Sequence, residues 1–171
     1  MKFLAPLPVL ISPPAIAAIN LVILWPLVLS VVDVIESIAI HRDFNEAVDT
    51  ESTIAILLIG WGVALEERYM LREMFGMVGR PDERWQKGID GACHRTGVAV
   101  LILGLFAEIC AELLHLPNRI IDTGGSEHPL LAVGLILLTL AGLVLVRLIV
   151  QLIASLWVRR DNPSISPGES A

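Results

Sequence analysis

Four stretches of nearly twenty or more apolar residues run through this chain and limit its fold more than any other feature. A helix needs about 20 apolar residues to cross a hydrocarbon core about 30 Å thick. Within lipid it must also satisfy its backbone hydrogen bonds internally. The expected spans cover 15–40, 52–70, 96–116 and 130–158. With their loops these fill the chain, so residues 1–158 read as a single four-span transmembrane domain with no soluble catalytic domain. The expected fold class is all-α, a four-helix transmembrane bundle. Hydrophobic residues make up 55% of the 171 and the mean hydropathy is +0.73, whereas soluble domains hold about 45–50% apolar residues. The expected partner is therefore a lipid bilayer, and a net charge of −6 argues against nucleic acid.

Positive charge is distributed unevenly. Lys2, Arg68, Arg72, Arg80, Arg84, Lys87, Arg95, Arg159 and Arg160 fall on one side of the alternating spans; Arg42 and Arg119 fall on the other. The positive-inside rule then puts both termini and the middle loop in the cytoplasm, as for a multi-pass protein of a cell (inner) membrane.

Punctuation within the chain refines this outline. Pro26, in the middle of the first span, removes an N–H donor and predicts a kink near Val22 to Trp25. His41 to Glu51 reads as a short acidic loop. The second span carries Gly60, Gly62 and Ala64, small residues that let helices approach closely. An apolar stripe of Leu71, Met74, Phe75 and Val78 extends its helix to a stop at Gly79-Arg80-Pro81. Gly88 and Gly91 punctuate the approach to the third span. Residues 159–171 read as a disordered cytoplasmic tail.

The third span raises the functional question. Glu108, Glu112 and His115 follow one another at i, i+4 and i+7, a stripe about 60° wide, with Gly97, Leu101 and Gly104 continuing it. Lipid does not solvate carboxylates, so this face is expected to look into the bundle or a wet cavity. Asp33, Glu36 and His41 lie at the same end of the first span, and Glu51 and His128 can join them there. Carboxylates crowded together without Lys or Arg call for a bound proton or cation, hence the expected function of binding or conducting a proton or divalent cation. Glu112 and His115 also match the Glu-x-x-His half-site of di-metal carboxylate bundles, although the second half is missing. A divalent metal is thus one candidate cofactor. Haem, on His41, His115 or His128, is a weaker one.

Other readings compete with this one. The polar stripe would equally suit a structural or assembly subunit docking another chain of a membrane complex. With only four spans, a homo-oligomer or larger complex is expected. Glu66 and Arg147 stand at similar depth in the opposite half, where an ion pair would account for both. Cys93 and Cys110 are about 25 Å apart along one helix, too far for a disulfide. No nucleophile–base set, phosphate loop or Cys-x-x-Cys occurs, which weighs against an enzyme.

Overall fold

The computed structural model of the chain describes residues 9, 11–40, 44–78, 83–115 and 127–161. Five helices cover most of them: α1 (Pro13–Ile40), α2 (Phe44–Glu66), α3 (Arg68–Met74), α4 (Glu83–His115) and α5 (Glu127–Asp161). Four of these, all but α3, are long and apolar enough to cross a membrane.

The long helices share one pattern. Buried positions alternate at spacings of three and four, as in Val48, Glu51, Ala55, Leu58, Gly62 and Leu65 on α2. On α5 the row is Leu131, Gly134, Leu138, Ala141, Leu145, Leu148 and Leu152; on α4 it is Asp90, Cys93, Gly97, Val100, Gly104, Ala107 and Ala111. On α1 it runs Ile16, Asn20, Ile23, Leu27, half-buried Ser30 and Val34. A repeat averaging about 3.5 residues is the spacing of left-handed coiled-coil packing, which keeps one seam of each helix on the bundle axis. Three seams carry a buried polar residue: Asn20, Glu51 and Asp90.

The helices run up, down, up and down, packing in the ring order α1, α2, α4, α5, with α2 and α5 meeting only slightly across the diagonal. One apolar cluster fills most of the interior, from Ile16 and Leu152 to Ala107 and Leu138. A smaller one, containing Val34, Ala47, Val48, Ala111 and Leu131, closes the end where α1 finishes and α2 starts. That end carries Glu46, Asp49, Glu108 and Glu112 and is termed the acidic end; the end with Arg68, Arg72 and Asp90 is the basic end. Trp25, Leu143 and Val150 are 72%, 61% and 60% exposed on the outer surface. A bundle in water would hide such side chains, whereas lipid accepts them.

In place of water exclusion, close backbone approach holds α2 to α4. A Cβ at Gly97 would lie 2.5 Å from Glu66 N and 2.6 Å from Gly62 O, and one at Gly62 would lie 2.8 Å from Leu101 N. Gly97 and Gly104 thus face α2, as the stripe on the third span required.

Several boundaries differ from expectation. Most of the expected acidic loop is helix, because α2 starts at Phe44 and buries Ala47 and Val48 before the apolar run begins. Gly88 and Gly91 lie within α4, which starts at Glu83. The helix after the second span breaks at Glu67 and stops at Met74, short of Gly79. Gly76 ends it, with φ 63, accompanied by Gly76 N–H donating to Glu73 O and Met77 N–H to Arg72 O, both at 2.9 Å. This is a Schellman close, which favours glycine at the left-handed position. Helix α1 continues through Pro26. Helix α5 extends to Asp161, into the expected tail, and residues 162–171 lie outside the described residues.

Candidate functional site

The seam rule decides where the third-span stripe points. Ala107, Ala111 and Leu114 occupy the α4 seam, and Glu108, Glu112 and His115 each follow one of them by a single residue. One residue is about 100° of helix, so the three acids and bases turn off the axis towards the flank of α4. Glu108 stops half-buried against α2, where Ser52 Oγ donates to its Oε1 at 3.0 Å. His115 Nε2 sits 3.1 Å from Asp49 Oδ1 at the exposed rim. Glu112 is exposed, so the stripe expected to look inward does so only at its Glu108 end. Antiparallel packing brings Asp49 to His115 and Ser52 to Glu108, successive steps of one α2–α4 flank.

Asp33 and Glu36 belong elsewhere. Both line an open groove between α1 and α2, with Leu29, Ser30, Val32 and Thr50. His41 lies outside the described residues. The five described members of the expected cluster are therefore divided between two helix interfaces. Among the described residues no group of three or more His, Cys, Asp or Glu converges as a metal site, and Glu112 and His115 form no enclosed half-site. His94 and His128 are exposed, the latter with its ring 5.6 Å from that of Phe44.

The most unusual group is Glu51, on the α2 seam between Val48 and Ala55. It has 0% exposure, and neither carboxyl oxygen has a hydrogen-bond partner among the described residues. The side chain lies directly on the α5 backbone: a Cβ at Gly134 would overlap Oε1 and lie 2.6 Å from Cδ. Glu108 of α4 is brought to the same level, since Ser52, the residue after Glu51, donates to it. Glu108 Oε2 is likewise buried without a partner. From Phe44 to Glu51 is about 10 Å along α2. Reading the acidic segment as a loop placed this residue at the outer rim of the cluster, whereas α2 carries it onto the buried seam. The three-and-four spacing that places Glu51 in register with Val48, Ala55 and Leu58 would have found it.

The basic end contains a second buried polar group, and this one is saturated. Arg68 and Arg72, 2% and 3% exposed, each donate to one oxygen of Asp90, 7% exposed. Arg68 also donates from Nε to Ile11 O at 3.1 Å and from Nη2 to Gln86 Oε1 at 2.9 Å. Burial pushes the Arg68 guanidinium down to about 10, which leaves it charged at neutral pH. The break at Glu67 separates the helix that presents these arginines from α2. Between the two ends, Trp61 Nε1 donates at 2.6 Å to Asn20 Oδ1, whose residue is fully buried. The expected Glu66–Arg147 pair is not formed. Arg147 is exposed on α5 and Glu66 half-buried on α2, whose end packs on Gly97 of α4.

No protein-family model, curated protein or solved structure matches this chain.

Proposed function

We propose that this multi-pass membrane protein binds a proton at the Glu51–Glu108 pair, reached from the acidic end. The observation that carries this reading is Glu51 itself, wholly enclosed, both oxygens unpartnered, pressed on Gly134 beside a second carboxyl group. Burying a naked carboxylate is costly unless a cation or several donors compensate. A proton is the compensation that fits two carboxyl groups and a serine hydroxyl, because a divalent cation requires more ligands. His115, Asp49 and Ser52 provide polar steps from the rim to Glu108.

The same geometry favours binding over conduction. From Glu51 to Trp61 is about 15 Å along α2, and the seams there hold Ala55, Leu58, Val100, Gly104, Leu138 and Ala141. A proton entering at the acidic end leaves by the same end. Uneven Lys and Arg placement supports a cytoplasmic basic end in a cell membrane, and accessibility of a cysteine placed at residue 124 tests that orientation. Assembly with further copies or into a larger membrane complex belongs to the same proposal, and particle mass in nanodiscs measures it.

Infrared spectroscopy of the purified full chain tests the proton. A protonated-carboxyl band that shifts in heavy water is expected in the wild type and lost in Glu51→Gln. A spectrum unchanged by Glu51→Gln refutes the site. Loss of the band on adding a divalent cation, with protons released, would turn it into a cation site.

A further inference from the structure

Resting on that reading, we propose that loss of the Glu51 proton parts α5 from α2 at Gly134 and admits water to the acidic half of the bundle, so that proton occupancy decides whether that half is closed. An ionised Glu51 needs donors, and among the described residues none bonds to either of its oxygens. From α4 it faces Glu108, of like charge, and the Cys110 thiol. From α5 it meets the Gly134 backbone, and α1 adds Val34 to the apolar cluster beside it. No Lys or Arg occurs in α1 or α2, and those of α4 and α5 lie towards the basic half. The bases at the acidic rim are already placed, His115 at Asp49 and His128 beside Phe44.

The new charge therefore has two routes to water: the side chain swings out, or the helices separate. Val48 and Ala55 on its own seam and the backbone at Gly134 block the first. The second is easy at this end. Helices α2 and α5 are a diagonal pair with little contact, and the cluster closing the acidic end is small, built on two valines, two alanines and a leucine. The large cluster beyond Leu58 and Leu138 keeps the basic half shut.

The chain contains its own reporters. Cys110 is 9% exposed in the acidic half, and Cys93 is 0% exposed in the basic half. Maleimide labelling of Cys110 is measured against pH in nanodiscs on the full chain with Cys93→Ala, with and without Glu51→Gln. Taking the ratio of the two rates cancels the ionisation of the thiol except for repulsion by an ionised Glu51, which would lower the ratio in alkali, opposite to the expected rise. The ratio is expected to be near one in acid and to rise at least about tenfold in alkali. For Cys93, in a Cys110→Ala background, it stays at one. Glu51→Met serves as comparator if the Gln variant does not fold.

A Cys110 ratio flat across pH overturns the proposal, and so does an equal rise at Cys93, which would mean general loosening. The infrared band of Glu51, followed on the same samples, separates the two claims. If the band titrates while the ratio stays flat, the proton site stands and the coupling falls. If no band depends on Glu51, both fall.

Discussion

The two ends of this bundle bury charge in opposite ways. At the basic end one aspartate serves two arginines, and a glutamine and a backbone carbonyl take further guanidinium donors. In the acidic half a single serine hydroxyl serves Glu108, and Glu51 has no donor at all among the described residues. A saturated group fixes geometry: it ties Ile11, α3 and α4 together and has little left to offer a ligand. An unsaturated group remains buried only if something neutralises it, and that is a functional property. Buried polar side chains in membranes thus need to be sorted by what satisfies them before any is read as a site.

The largest test of this contrast is Asp90→Ala, which leaves two guanidinium groups without their shared carboxylate. A loss of about 3–5 kcal/mol is expected, measured by unfolding in detergent. If Asp90→Ala is harmless, the basic end is not the saturated clamp described here. Next comes Gly134→Ala, whose methyl would overlap Glu51. It should cost about 1–3 kcal/mol and much less in a Glu51→Ala background. Equal costs in both backgrounds would remove Glu51 from the α5 backbone. Trp61→Phe strips Asn20 Oδ1 of its donor in a buried site and should cost about 1–3 kcal/mol.

Glu51→Met is expected to be neutral or stabilising by about 1–4 kcal/mol, because well-packed apolar residues often improve on buried charge. A large loss would instead mean that Glu51 is satisfied in a way its geometry does not reveal. The smallest effect is expected at the rim. His115 and Asp49 are 36% and 73% exposed, so a double-mutant cycle should give no more than about 1 kcal/mol of coupling. A parallel cycle on Glu66 and Arg147 should give none.

Much of the site was written in the chain, but the stripe chosen on the third span was one residue out of phase. Following i, i+4 and i+7 from Glu108 selected Glu112 and His115, which keep the repeat of about 3.5 residues but sit one residue off the seam of Ala107, Ala111 and Leu114, about 100° away. Following threes and fours from Leu65 back through Gly62, Leu58 and Ala55 leads to Glu51. The acidic composition of residues 41–51 suggested a loop, but Phe44 and Val48 supplied enough apolar surface for α2 to begin there.

The sequence by itself determined four membrane-length helices, their alternating direction and the close approach at Gly62, because length, hydropathy and side-chain size act locally; Gly60, expected beside it, has nothing within 4 Å of where a Cβ would stand. Only the tertiary structure decided which polar groups meet. Arg68 and Asp90 are 22 residues apart, and Asp49 and His115 are 66 apart. Each pairing depends on how far one helix is rotated and slid against another. That rotation and register follow from packing all the seams together, and Gly134 receives Glu51 because α5 is held where a side chain would not fit.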